Sequence, residues 1–355
     1  MQTLRLSAAI PSDLDRAAAL LRAGELAALP TETVYGLAAN ALDGDAVAKI
    51  FTAKGRPQDN PLIVHVPGAA DAAALAADFP PEAQRLADVF WPGPLTIILP
   101  SSGMVAPAVS AGLPTVALRV PAHPAALALL QAAGIPLAAP SANRSGSPSP
   151  TAAAHVLADL DGRIATVLDG GPCGIGVEST VVSLAGESPC LLRPGGVTLA
   201  QLRDVLGDVT VSPSVTAPLE NGETAASPGM KYRHYAPEAS LTLVRGSAAA
   251  FAAYAVSCAA GWDGLLCFDE DLFCLRALLP KRSVLLTYGS ETDPAAQARL
   301  LFARLREMDA LGLRRALVHC PSADGAGLAV YNRLLRAASF RVVEATSCFP
   351  VSRFP

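Results

Sequence analysis

PTETVYGLAANALDGDAVAKIFTAKGRPQDNPLIVHV, residues 30–66, decides how the first half of this chain folds. A Pro-Thr-Glu-Thr turn closes the apolar run 26–29. Helical periodicity follows over 44–53, and the chain then empties into Lys54-Gly55-Arg56-Pro57 and Asn60-Pro61. The next segment, 62–66, reads as a buried strand with His65 near its end. Hydroxyls, two cations, an amide and an imidazole thus arrive from two strand ends and one loop, an inventory for gripping a polyanion beside a small polar substrate. Lys54 and Arg56 suit phosphate oxygens, Arg through its planar fork of donors. Thr31 and Thr33 can donate hydroxyls or cap the following segment. A loop of solvated charges with a threonine cap is the plainer reading of the same residues.

A second polar stretch, PSANRSGSPSPT at 140–151, follows the small apolar run 135–139. Ser141, Ser145, Ser147 and Ser149 with Asn143 form a hydroxyl-rich loop. Thr151 is placed to cap a helix running to about 160. Strand, polar loop and helix start make an anion site, because the first amides of a helix lack partners. An ordinary Ser/Pro linker is the competing reading, weakened by the apolar strand before it and the periodic helix after it.

Working outward, strand signals fall at 25–29, 62–66, 95–99, 115–120, 137–140, 164–168, 180–184 and 190–193. Helical signals fall at 12–23, 44–53, 82–90, 123–133, 151–160 and 198–206. The mixed alternation argues for a twisted mixed sheet covered by helices. From 208 to 239 periodicity gives way to Val, Ser, Thr, Pro, Asn and Gly, a linker by composition. It carries a costly cluster, Lys231, Tyr232, Arg233, His234 and Tyr235. Beyond it strands at 241–245, 264–268, 283–288, 315–320 and 340–344 alternate with helices at 247–259, 294–311 and 325–338, as in a small parallel, Rossmann-like sheet. That sheet lacks the G-x-G-x-x-G turn of a nucleotide site, and the glycine run 170–176 reads as a tight loop. The expected domains are 1–207, a linker or lid at 208–239, and 240–355.

Composition bounds the function. At 355 residues the chain is long enough for two cores. The formal charge of −4 argues against a protein that mainly coats nucleic acid. No apolar run reaches the ~20 residues of a membrane span, and acids stand in the N-terminal stretch where a signal peptide needs an apolar block. A cytoplasmic protein is therefore expected. Seven cysteines without a C-x-x-C pair predict neither a disulfide framework nor a structural metal.

The motifs PTETVYGL (30–37), KGRPQDNPLIVHV (54–66), TVALRVP (115–121), SANRSGSPSPT (141–151), EST (178–180) and LLRPGG (191–196) resemble, in order, the YrdC-like domain of the threonylcarbamoyl-AMP synthases. SPGMKYRHYAP (227–237) and GLAVYNRLLRAAS (327–339) resemble the linker and C-terminal domain of the long members of that family. The fold implied is a YrdC-like mixed α/β sheet with a smaller Rossmann-like domain. The implied reaction joins L-threonine, bicarbonate and ATP into threonylcarbamoyl-adenylate and pyrophosphate, for threonylcarbamoyladenosine modification of tRNA.

Such chemistry needs placement and charge neutralisation more than a protein nucleophile, and the sequence offers no nucleophile elbow, Cys/His pair or HExxH. By resemblance, threonine contacts fall on Thr33, His65, Arg119, the backbone of Ala139, and Ser179. ATP contacts fall on Arg56, Asn60, Thr115, Ser141, Ser149, Arg193 and, from the linker, Tyr232. Lys54 and Arg56 would stabilise charge at the phosphates, and magnesium would be held mainly by the phosphates. For Arg119 alone, a core salt bridge to Glu32 or Glu178 is the competing reading. Contact with tRNA or a downstream transferase would be transient, and no membrane is involved. The rivals are a related carbamoyl-adenylating enzyme and a non-catalytic RNA-binding module, the latter disfavoured by an aromatic content of 5%.

Overall fold

The computed structural model describes residues 2–218 and 234–345. Chain contacts divide them into two compact units: residues up to 145 with 149–218, and 234–345 with the tripeptide 146–148. The first unit contains β1 (Leu4–Ser7), β2 (Ala27–Leu29), β3 (Gly36–Asn40), β4 (Ile63–His65), β5 (Leu95–Pro100), β6 (Thr115–Arg119), β7 (Leu137–Ala138), β8 (Thr166–Asp169), β9 (Thr180–Ser183), β10 (Cys190–Arg193) and β11 (Thr210–Val211). They form one sheet in the order β1-β8-β2-β3-β7-β4-β6-β5-β9-β10-β11. Parallel pairs such as β4 with β6 alternate with antiparallel ones such as β5 with β6 and β9 with β10, so the sheet is mixed as expected.

Helices cover both faces. Gly44–Lys54, Pro81–Phe90, Ala153–Leu160 and Leu199–Leu206 bury their apolar stripes in the large core on one face. Pro11–Arg22 and Pro124–Ala133 pack together over β1, β8, β2, β3 and β7 on the other. The helix Gly44–Lys54 has explicit stops. Asp43 accepts the amides of Asp45 and Ala46 at its start, and Gly55 ends it in the left-handed region at φ 62°. That ending releases Arg56 into the loop before β4.

Several expectations shift. β1 and β3 were not anticipated from the pattern: β3 reads GLAAN, small residues with no β-branched signal, and pairing with β2 and β7 makes it a strand. Thr151 does not cap the following helix, which starts at Ala153 after a non-capping Ala152. Its amide donates instead to His155 Nδ1. The linker is narrower than 208–239. β11 pairs with β10, and Ser214 and Val215 are buried, so this stretch belongs to the first unit. Tyr235 and Ala239 are buried in the second, Tyr235 against Phe302 at 5.5 Å. The middle of the proposed lid, with Tyr232, lies outside the described residues.

The second unit holds β12 (Ser240–Arg245), β13 (Gly264–Cys267), β14 (Val284–Thr287), β15 (Arg315–His319) and β16 (Val342–Glu344), in the order β14-β13-β15-β12-β16. Every pair is parallel, as the βα alternation predicts. Asp271–Leu278 adds a short helix that the sequence pattern missed. The core beside it is closed by a buried ion pair, His319 Nδ1 to Asp271 Oδ2 at 2.7 Å. Burial lowers the His319 pKa, but its bonds to Asp271 and the Gly246 carbonyl outweigh burial and raise it overall. Among the described residues, no helix is long and apolar enough to cross a membrane.

Candidate active site

Side chains alternate across a strand, and the register of β4, β6, β5, β9 and β10 puts three of the expected residues, His65, Thr115 and Arg119, on one face. Ile63 pairs with Ala117 and His65 with Arg119, while Ile98 faces Ala117. That face therefore carries Ile63 and His65, then Thr115, Ala117 and Arg119, then Thr96 and Ile98, with Val181 and Leu192 beyond. Among the described residues, Ile63, Ile98, Ala117, Val181 and Leu192 form a small apolar cluster of their own, separate from both helix-covered cores and containing no helix residue. It is a floor.

Polar groups sit at the two ends of this floor. At the C-terminal end of β6, Arg119 is 4% exposed and donates through Nη2 to Glu32 Oε1 at 2.6 Å and through Nε to the Gly93 carbonyl at 3.2 Å. The salt bridge to Glu32 that competed with substrate binding in the sequence is thus formed. Glu32 lies on the turn between β2 and β3, with β7 and β4 intervening in the sheet, so this turn folds over the floor. Beside Arg119, the Ser179 hydroxyl shares a hydrogen bond with Thr96 Oγ1 at 2.8 Å and accepts Arg193 Nη2 at 3.1 Å. Arg193 Nε also holds the Ser179 carbonyl at 3.0 Å. Gly195 permits this clamp, since a Cβ there would lie 2.3 Å from the Thr180 amide nitrogen.

The other end is set by Thr115, four residues upstream on β6 and therefore about 13 Å from Arg119 along the strand. The loop carrying Arg56 and Asn60 enters β4 at this level, and the antiparallel register of β7 brings Ser141 there too. Arg56 Nη2 lies 3.3 Å from the carbonyls of Asn60 and Pro61. Asn60 is 1% exposed, and among the described residues neither its Oδ1 nor its Nδ2 has a hydrogen-bond partner. A buried amide with both ends uncommitted is rare.

Lys54 has partners within the protein. It is buried, and its ammonium donates to the carbonyls of Ser141 and, at 2.6 Å, of Asn143. The Lys54 carbonyl in turn accepts the Ser145 amide at 2.9 Å. Through these bonds the cation ties the serine loop to the end of its own helix.

Three loops are stitched together around the floor. The Ile175 and Gly176 amides donate to the Glu32 and Thr33 carbonyls, Cys173 to Thr151, and Tyr35 to Pro150. Ser149, fully buried, donates its hydroxyl to Glu178. Thr33 shares a hydrogen bond with Thr31 at 2.7 Å, and Thr31 also accepts the Thr33 and Val34 amides, a local turn leading into a strand and not a helix cap. The Ala139 amide donates to the Ile63 carbonyl at 2.9 Å, so a ligand contact there falls to its carbonyl. The glycine run 170–176, read from sequence only as a tight loop, is the strap that holds the Thr31–Thr33 turn. Its signal was the glycines alone, which carry no information about what the loop touches.

Electrostatics assign one role firmly. Burial, and then the nearby Arg119 charge, push the His65 imidazole down to about 3. The ring is neutral, and Nδ1 lies 3.3 Å from the Ile63 carbonyl. A neutral ring in that position carries its proton on Nδ1, which leaves Nε2 as an acceptor.

Comparison with known proteins follows the same motifs. The family model described as "Telomere recombination" (Sua5/YciO/YrdC) matches residues 19–195, and "Threonylcarbamoyl-AMP synthase, C-terminal domain" matches residues 197–339. The threonylcarbamoyl-AMP synthase of Pyrococcus abyssi is 44% identical over 337 residues, covering 92% of this chain and 94% of the relative. The chain belongs to the threonylcarbamoyl-AMP synthase family. The Bacillus subtilis member is 46% identical over 332 residues, covering 93% of this chain and 94% of its own. A crystal structure of Pyrococcus abyssi Sua5 complexed with L-threonine superimposes with a TM-score of 0.89 at 41% identity, covering 98% of this chain and all of that one. The two-domain threonylcarbamoyl-AMP synthase fold is therefore that of this chain.

Proposed function

We propose that the protein is an L-threonylcarbamoyladenylate synthase whose substrates lie along the floor, threonine at the Arg119 end and ATP towards Thr115. The observation that carries this reading is the two-ended face itself. Acceptor and guanidinium groups gather at the Arg119 end of β6, and an amide uncommitted among the described residues, Asn60, lies at the level of Thr115; the two levels are about 13 Å apart along the strand, room for an amino acid with the reacting phosphate next to it. Arg119 would take the threonine carboxylate through Nη1, which makes no hydrogen bond among the described residues. His65 Nε2 and the Ala139 carbonyl would accept from the hydroxyl or amine of threonine, with Thr33 and Ser179 completing that end. Asn60, Arg56, Thr115 and Ser141 would meet the nucleotide, with magnesium arriving on its phosphates and hydrated elsewhere. Ser149 and Arg193, committed here to Glu178 and Ser179, would exchange or share those bonds on nucleotide binding.

The reaction on this reading has two steps. The threonine amine attacks the bicarbonate carbon; the N–C bond of a carbamate forms as a C–O bond breaks, and the departing hydroxide takes the amine proton and leaves as water. A carbamate oxygen then attacks the α-phosphorus, and the bond to the β-phosphate breaks to release pyrophosphate. With its imidazole near 3, His65 is a hydrogen-bond acceptor and too weak a base to carry the amine proton away. The floor supplies alignment and a dry surface, both of which favour an unstable carbamate. The mixed anhydride would pass in the cytoplasm to a separate enzyme that modifies tRNA. By the family resemblance, Tyr232 would add a contact to the nucleotide.

The buried state of Lys54 and Arg193, 3% and 6% exposed, sets these cations apart from the solvent-facing stripe of an RNA-binding module. Incubation with threonine, bicarbonate and α-labelled ATP tests the reading. Pyrophosphate and a labelled threonylcarbamoyl-adenylate are expected only when all three are present. Adenylation of carbamoyl phosphate without threonine would favour the related carbamoyl-adenylating chemistry.

A further inference from the structure

Arg119 is nearly buried, and a guanidinium on a flexible stem needs a fixed partner to hold one orientation. Glu32 supplies it. One carboxylate oxygen accepts Arg119 Nη2 at 2.6 Å and the other accepts the Ala122 backbone amide at 3.0 Å. The second bond matters because Ala122 lies three residues beyond Arg119, past the end of β6. Glu32 therefore ties the guanidinium and its own strand end to the turn that folds over the floor. That turn is itself fixed by the Ile175 amide on the Glu32 carbonyl.

We infer that Glu32 is a positioning residue for the amino-acid substrate: by occupying one side of the Arg119 fork it aims Nη1 at the substrate carboxylate. This rests on the reading of the Arg119 end as the threonine site. The electrostatics are consistent with it. With Glu32 alongside, the Arg119 charge is balanced before substrate arrives, so the guanidinium is held without a loose anion. The substrate carboxylate then gains a directed hydrogen bond at a fixed place. Removing the Glu32 charge leaves a buried Arg free to turn toward other acceptors, and the fork geometry for a carboxylate is lost.

The test uses the full chain with Glu32→Gln and Glu32→Asp, each checked for folding by circular dichroism and thermal melting. Threonine binding is measured by calorimetry without nucleotide, ATP binding separately, and turnover by pyrophosphate release. Glu32→Gln is expected to weaken threonine binding and raise its KM by about tenfold or more. ATP affinity and kcat at saturating threonine should stay within about threefold. Glu32→Asp, which keeps the charge but shortens the reach, should fall between. If Glu32→Gln does not fold, Glu32→Asp carries the same comparison. Threonine affinity unchanged in the folded variant, or equal losses for threonine and ATP, would overturn the inference. Failure of the unaltered protein to bind threonine would instead overturn the assignment of the Arg119 end.

Discussion

Replacing Lys54 by Met separates two roles that the sequence could not. In the structure its ammonium donates to the Ser141 and Asn143 carbonyls, and it is 3% exposed. Met keeps the unbranched stem and removes the charged donor. A hydrogen bond from a charged group contributes about 1.5–3 kcal/mol, and a buried carbonyl stripped of its donor bears a desolvation cost. Relief from burying an ammonium offsets part of this, leaving a net loss of about 3 kcal/mol. For a unit of roughly 200 residues that lowers the melting temperature by about 6–12 °C. Differential scanning calorimetry on the nucleotide-free protein should show the shift in the first unit's transition. ATP affinity should fall with it, because Ser141 and Asn143 are loosened together. The reasoning fails if Lys54→Met melts as the unaltered protein does and loses only ATP affinity, in a manner weakened by salt. That result would return Lys54 to the phosphates.

Arg56→Ala should weaken ATP binding by more than about tenfold and spare threonine, while Arg119→Ala should do the reverse, both read by calorimetry; equal small losses would refute the two-ended floor. Valine should be rejected far more strongly than serine in the pyrophosphate assay, since valine leaves His65 Nε2 or its neighbours unpaired. His65 also sets a pH dependence. Its folded value of about 3 lies below the ordinary 6.5, so the unfolded chain binds the proton first. Stability from this group is full above about pH 6.5 and declines as pH falls towards 3, and His65→Gln should flatten that part of a urea-midpoint profile.

Much of this architecture was legible because the patterns were long. The helices from 44 and from 294 announce themselves by periodicity and by Asp caps, and each second-unit strand is a short apolar run between turns. β3 was hidden because GLAAN has no side-chain signature; its pairing with β2 and β7 supplies what propensity does not. β11 was lost for a related reason, two residues in a Ser/Pro-rich stretch that become a strand only beside β10. At the site, the residue types could be named from the motifs, but their commitments could not. That Lys54 faces inward to carbonyls, that Ser149 is bonded to Glu178 and that Arg119 already has a partner are facts about distant segments. The pairing of Arg119 with Glu32, 87 positions away, could be named only as one of two alternatives, because local spacing does not choose between Glu32 and Glu178.

The floor also constrains how such an enzyme can change. Thr115, Ala117 and Arg119 share one face of β6, and residues sharing a face recur only every ~6.6 Å. The separation between the two ends is thus counted in whole steps by the covalent chain. Substitutions can alter what either end recognises while the sheet stays as it is. A longer amino acid cannot be admitted by stretching the gap, because inserting one residue in β6 would turn Arg119 into the opposite core. New specificity must therefore arise at the ends, and the ruler between them is inherited intact.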